Sequence, residues 1–350
     1  MNAIEFIRQR LAKGEPINEQ KMSGQSFAGQ DFTKGLFTDC EFGDCDFTGA
    51  TLEGASFVNC RMGGTRFDKA RLRTATFHRT TLDGCGFRGA HLVGATFNEA
   101  PLQSANFSGA DMEFANLVKC ALKGSRFDGA RLIQASFIEC DFGAVALDEA
   151  ELAKTVFYKA DLRQVRFVGV GGDQCVFAEC NLAGMDFAGA RWTRSQFMEA
   201  DLTGARFPGA RLSGSNFKGA KLEKADFKGI DAEHTLWVGA RLDGAVFDDA
   251  KMDHTVWIEA GGDQASFRNA SLVESVLQKT ALTHCNFDGA KLRYSDLAHA
   301  ELSGSRFVGT DMFRTGLRGA RGQDVEMPNR RQAAPDDEDT LKAETWRPGR

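Results

Sequence analysis

The sequence predicts a solenoid, one elongated stack of short repeats in place of a globular domain. Three observations carry that expectation. A large apolar residue recurs at every fifth position, as in Phe197, Leu202, Phe207, Leu212, Phe217, Leu222 and Phe227. A small residue stands two places before each, as in Ser195, Ala200, Ala205, Ala210, Ser215, Ala220 and Ala225. The register then holds from Met22 to Leu317, sixty units, without an inserted or deleted residue. A helix repeats its apolar face every 3.6 residues and a half-buried strand every 2, so a period of five belongs to units that bury their apolar residue only by stacking on neighbours. A chain of 350 residues would ordinarily hold two domains, but an unbroken register argues for one solenoid.

Fifty-seven of the centres are Phe, Leu, Met or Trp. Units such as Ala200-Asp201-Leu202-Thr203-Gly204 and Ala160-Asp161-Leu162-Arg163-Gln164 match the motif A(D/N)LXX outright. In these residues the chain resembles the pentapeptide-repeat family. The resemblance implies an all-β fold, the family's right-handed quadrilateral β-helix, with four units per coil and both motif positions pointing inward. It further implies about 15 coils, which at a strand spacing of about 4.8 Å would make a rod roughly 70 Å long.

Residues 1–20 precede the register and are expected to form a capping helix: Asn2 with Glu5 can start one, Ile4, Ile7 and Leu11 have helical spacing, and Gly14 with Pro16 can stop it. A solenoid needs such a cover, because a bare first coil exposes core and unpaired strand edges. Residues 21–320 are assigned to the β-helix. Within them, centres ending in 7 are mostly Phe or Trp and centres ending in 2 mostly Leu or Met, so alternate sides of a coil carry large and smaller side chains and fill a narrow interior. Glycines such as Gly204 and Gly214 suit tight corners.

Three centres break the pattern: Gly172, Ala232 and Gly262, two of them inside an identical GGDQ. Neither GGDQ has the lysine and helix start of a phosphate loop. Each defect has a tryptophan at a neighbouring centre, Trp192, Trp237 and Trp257 respectively, which points to compensated packing. Residues 321–350 lose the repeat, turn polar and read as a disordered tail. Leu341 and Trp346, beyond the acidic run from Asp336 to Asp339, are candidates either for a recognition element or for a cover on the last coil.

The charge balance is 43 basic against 48 acidic residues, net −5, which supplies no field for nucleic acid or an anionic membrane. The N-terminal MNAIEFIRQR has no apolar run of a leader peptide, and no stretch reaches membrane-spanning length, so a cytoplasmic protein is expected. All nine cysteines sit at the small inward position. They read as small hydrophobes in a reduced compartment. Cys40 with Cys60 and Cys120 with Cys140 would stack on successive coils, where parallel side chains rarely offer the torsion of a disulfide. No catalytic signature, cofactor fingerprint or CxxC pair occurs, so neither catalytic residues nor cofactors are expected. His234 and His254 share a corner column with Glu274, a geometry that admits a metal, but a ladder spacing of about 4.8 Å is long for two ligands of one ion. No metal site is assigned.

The outward flanks of the centres hold the functional information. One side, that of Phe37, Phe57 and Phe77, carries thirteen large apolar flanks against none, three and four on the others. Eleven of them form a stripe: Val118, Ile138, Val156, Tyr158, Val176, Met198, Leu236, Val238, Val256, Ile258 and Val276. Strand propensity accounts for single Val and Ile residues, not for their concentration on one side. An exposed apolar patch of that kind marks a protein interface, for a different protein or for a homodimer. The expected function is therefore a non-catalytic scaffold or adaptor. Uninterrupted Phe-rich repeats with cysteines are similar to accessory proteins of bacterial type VI secretion, which implies loading or escort of an effector. The alternative is the family's topoisomerase-protecting DNA mimics. Sorting residues 20–319 by side gives net charges of −3, −1, +1 and −1, far short of the one negative charge per about 1.7 Å that duplex DNA carries.

Overall fold

The computed structural model describes residues 2–335, 339, 340 and 342. It divides into two compact units, Met1–Cys180 and Asn181–Arg350, each an all-β solenoid in its own right.

The first unit opens with helix α1 (Ala3–Ala12), where Asn2 Oδ1 accepts a hydrogen bond from the Glu5 backbone N–H at 2.8 Å. The helix buries Ile7 completely and is tied to the first coil by Arg8, whose guanidinium donates to Gln30 Oε1 at 2.8 Å. This is the expected cap. Strands β1 (Ile17–Asn18), β2 (Leu36–Thr38), β3 (Ser56–Val58), β4 (Thr76–His78), β5 (Thr96–Asn98), β6 (Asn116–Val118), β7 (Ser136–Ile138) and β9 (Val156–Tyr158) form one eight-stranded parallel sheet. Its register advances twenty residues per step, so Phe37 pairs with Phe57 and Phe57 with Phe77. Strands β8 (Leu152–Ala153) and β10 (Gly172–Asp173) pair in the same step on another side. The remaining ladders are single parallel bridges at the same interval, such as Lys21↔Glu41, Ser26↔Asp46 and Asp31↔Thr51. A coil is thus four five-residue units.

The second unit repeats this plan through bridges such as Asp201↔Lys221, Asp226↔Val246, Asp231↔Lys251 and Leu236↔Val256. It contains strand β11 (Trp192–Thr193) and a parallel pair of β12 (Gly261–Asp263) and β13 (Ala281–Thr283). The ladder passes the expected boundary at residue 320: Glu301 bridges Arg321 and Arg306 bridges Glu326. A 3-10 turn follows at Arg330–Gln332, and Ala334 N–H donates to Thr315 O at 2.9 Å. Residues 321–335 are therefore ordered structure in place of the tail expected there; backbone pairing, which needs no repeat motif, holds them. Leu341 and Trp346 lie outside the described residues.

Stacking explains the core. Phe207, Phe227, Phe247, Phe267 and Phe287 form a ladder with ring centroids 4.8–5.0 Å apart, set by the backbone step between coils. Rings of adjacent sides meet edge to face, Phe227 with Phe217 at 81° and with Trp237 at 82°, the arrangement that opposed ring quadrupoles favour. The small inward position has a chemical role beyond its size. At many units its hydroxyl or thiol donates to a centre carbonyl 23 residues earlier, as in Thr65 to Phe42 O, Ser125 to Leu102 O and Cys85 to Met62 O. All nine cysteines are buried and reduced.

The second unit's two defective centres are packing solutions. A Cβ on Gly262 would lie 2.8 Å from Leu242 Cβ, so the chain is drawn inward there, next to the bulk of Trp257. Beside Ala232, the Trp237 indole N–H donates to Thr235 Oγ1 at 2.6 Å, and that hydroxyl donates to Ala232 O at 2.8 Å. The corner residue two after most centres adopts a left-handed backbone, whether Gly54 (φ 65°) or Lys34 (φ 58°).

Candidate protein-docking face

Because each centre points inward, its two neighbours point out, and the twenty-residue step stacks those neighbours into straight columns. On the first unit, Val118, Ile138 and Tyr158 are consecutive partners in one column, and Val156 bridges Val176 in the next. All five are half-buried, each partly covered by the residues stacked above and below. On the second unit Leu236, Val256 and Val276 form one column, with Val238 and Ile258 in the parallel one, Gly239 N–H donating to Ile258 O. Leu236 is 40% exposed and the others are half-buried. Met198 is not brought into this patch: the coil between them presents Asn216 and Lys218.

The first unit's sheet has a property that a tally of apolar residues overlooks. From Leu36 to Ala178, none of the sixteen outward positions on that side is Asp, Glu, Lys or Arg, whereas each of the unit's other three sides carries at least eight. The positions not apolar are filled by Ser56, Thr76, Thr96, Asn116 and similar neutral groups. The charges at the adjoining corner neutralise one another in pairs one coil apart: Arg79 with Glu99 at 2.9 Å, Lys119 with Glu139 at 3.9 Å and Lys159 with Glu179 at 3.6 Å. Glu179 also accepts from the Tyr158 hydroxyl at 2.9 Å. The hydrogen bond from Arg79 holds the Glu99 carboxyl below the usual range, and contact with the Tyr158 hydroxyl, then the charge of Glu179, raises Lys159.

His234 and His254 stack face to face, centroids 4.9 Å apart and planes 7° from parallel, with His254 Nδ1 3.5 Å from Glu274 Oε2. Parallel rings present their nitrogens side by side without converging on a point. Among the described residues no group of three or more His, Cys, Asp and Glu surrounds a common centre. No helix among them is long and apolar enough to cross a membrane.

A twenty-residue coil with inward Phe or Leu defines a β-solenoid. Family models place it more narrowly: the pentapeptide repeat region matches residues 81–157 and 141–217, and pentapeptide repeats match 37–81, 225–256, 263–289 and 281–319. The chain belongs to the pentapeptide-repeat family. No protein of curated function matches it. Among solved structures it is similar to QnrB1, a plasmid-mediated fluoroquinolone resistance protein, at 18% identity over 66% of this chain and 93% of that one, with a TM-score of 0.26. It is also similar to HetL, a pentapeptide repeat protein involved in heterocyst differentiation regulation from the cyanobacterium Nostoc sp. strain PCC 7120 (21% identity, 91% of this chain, 98% of that one, TM-score 0.18). A third is a pentapeptide repeat protein of the Arabidopsis thaliana thylakoid lumen (27% identity, 33% of this chain, 67% of that one, TM-score 0.21). Superpositions this loose carry no inference about partners.

Proposed function

We propose that this protein is a non-catalytic interaction scaffold that docks a partner protein on the charge-free side of its solenoid. The observation that carries the reading is the absence of charge from the eight-stranded sheet of the first unit, where the neighbouring sides are densely charged. Docking strips water from both surfaces, and each ion left without a partner would cost several kcal/mol. A face of Val, Ile, Tyr, Ser, Thr and Asn avoids that cost and gains about 25 cal/mol for each Å² of apolar surface covered. The occupant this face suits is therefore itself flat and uncharged, and a second copy of this chain meets that description as well as another protein does.

The reading extends to loading or escorting a secretion effector, the role that similarity to type VI accessory proteins implies. DNA mimicry is disfavoured by ion pairs that join successive coils on the charged sides, Arg66 to Asp46, Arg131 to Asp111 and Arg206 to Asp186: these interleave the two signs where a mimic needs a continuous acidic stripe.

The test compares the wild type with an Ile138→Lys, Val156→Lys variant by light scattering and by co-purification from the native lysate. All substituted positions are at the surface, so the far-UV spectrum and melting temperature stay near wild type. Loss of a dimer or of a specific co-purifying protein supports the reading. An unchanged mass with an unchanged set of co-purifying proteins sinks it.

A further inference from the structure

The second unit carries another surface of opposite character, at the corner that follows Leu292 and Met312. Two aromatic side chains stand in solvent there, Tyr294 at 47% and Phe313 at 42% exposure. Their rings meet edge to face at 5.6 Å and 88°. The guanidinium of Arg293 lies over the Phe313 ring at 5.2 Å and that of Arg314 at 5.8 Å. Successive coils bring them together: Tyr294 N–H donates to Phe313 O at 3.0 Å.

The turn at Arg330–Gln332 adds more positive charge. Arg314 N–H donates to Gln332 O at 2.9 Å, and Gln332 Oε1 accepts from Met312 N–H at 3.3 Å, which fixes the turn Arg330–Gln332 against the coil that carries Phe313. Two carboxylates also face this corner. Asp311 lies 3.7 Å from Arg293, and Glu274, next in the column before Tyr294, lies 3.5 Å from His254. Among the described residues Arg314, Arg330 and Arg331 have no carboxylate within ion-pair distance.

We propose that this corner binds an acidic peptide segment of a partner protein. Exposed Tyr, Phe and Arg are the residues that dominate protein interfaces. A guanidinium that already rests on a ring, as that of Arg314 does, can still donate to a carboxylate and loses little freedom on binding. Arg314 and the nearby turn of Arg330 and Arg331, with no carboxylate partner among the described residues, favour an occupant with several carboxylates, and the two rings favour one that also carries an apolar side chain. A nucleic acid would need a longer basic track than this corner offers, since the unit's other sides interleave Arg and Lys with Asp and Glu. This site does not depend on the charge-free sheet of the first unit.

The probe is a fluorescein-labelled twelve-residue peptide of Asp and Glu with one central Phe, titrated with the full chain and followed by polarisation. Controls are the same peptide with Asn and Gln, and a labelled twelve-nucleotide oligothymidylate. Expected are binding of the acidic peptide that weakens as salt rises, an increase in Kd of roughly tenfold for Arg314→Glu, a smaller increase for Arg314→Lys, and no change for Arg268→Glu on another side. Both Arg314 variants should keep the wild-type melting temperature, because the side chain is exposed. Equal binding of the neutral peptide, tighter binding of the oligonucleotide, an equal loss with Arg268→Glu, or no binding of the acidic peptide would each overturn the proposal.

Discussion

Replacing Thr235 by Val tests how this solenoid accepts a tryptophan in a column built for phenylalanine. Trp237 stacks between Phe217 at 4.3 Å and Trp257 at 4.9 Å, and both it and Thr235 are fully buried. The indole N–H has the Thr235 hydroxyl at 2.6 Å as its acceptor, and that hydroxyl passes its own proton to Ala232 O at 2.8 Å. The same relay recurs one coil on, with Trp257, Thr255 and Met252 O. Valine preserves the shape of threonine and removes both bonds. Leaving a buried donor unsatisfied costs about 1–3 kcal/mol, so Thr235→Val should destabilise by about 2 kcal/mol. Trp237→Phe loses ring volume but no hydrogen-bonded pair in full, since the hydroxyl keeps Ala232 O, and should cost about 1–2 kcal/mol. In the double variant no indole remains to be orphaned, so the two costs should fall short of additivity by about 1 kcal/mol. Urea denaturation followed by far-UV dichroism measures each corner of the cycle. A Thr235→Val cost below about 0.5 kcal/mol, or strict additivity, would refute the relay as the reason for threonine at this position.

Two further outcomes follow from the core. Phe227→Ala opens a cavity that cannot close, because Phe227 N–H to Val246 O at 2.7 Å and Asp226 N–H to Ala205 O at 2.9 Å hold the coils at their spacing; it should cost about 4 kcal/mol in urea denaturation, and Phe227→Leu well under half of that. Burial pushes the thiols of Cys85, Cys175, Cys180 and Cys285 up to about 12. Because the folded values exceed the unfolded one near 9.0, their contribution to stability is complete below pH 9 and is lost as pH rises toward 12. Urea midpoints measured from pH 8 to 11 should therefore fall, with a shallower fall for Cys85→Ala, and at pH 8 Ellman's reagent should react with these thiols only after unfolding.

Much of this architecture was legible in the five-residue period, and its ends were not. Ile17 is a buried centre paired with Phe37, yet Glu15, Gln20, Gln25 and Gln30 stand where the repeat has a small residue, so the full motif begins a coil later than the ladder does; the helix cap relieves that first coil of the need for a small inward side chain. At the other end Glu326 still bridges Arg306 although Gly322 occupies the place of a centre. The apolar stripe could be read by sorting flanks, and so could the charge-free sheet, had charges been sorted as well as apolar residues. The corner of Tyr294 and Phe313 left a fainter trace, two aromatics nineteen residues apart and each beside an arginine, which acquires meaning only when consecutive coils are superposed.

The sequence by itself determined which residues point inward, because a period of five leaves one way to bury Phe and Leu together, and its resemblance to the family implied the twenty-residue step and hence the column each outward side chain occupies. Only the tertiary structure decided what happens within a column. Stacking at about 4.8 Å makes each flank shield its neighbours, turning the expected apolar stripe half-buried; it lays His234 flat on His254, pairs the corner charges beside the sheet, and brings Arg314 and Arg293 onto one exposed ring. Those outcomes depend on distances between residues about twenty apart in the chain, which a one-dimensional pattern orders but does not measure.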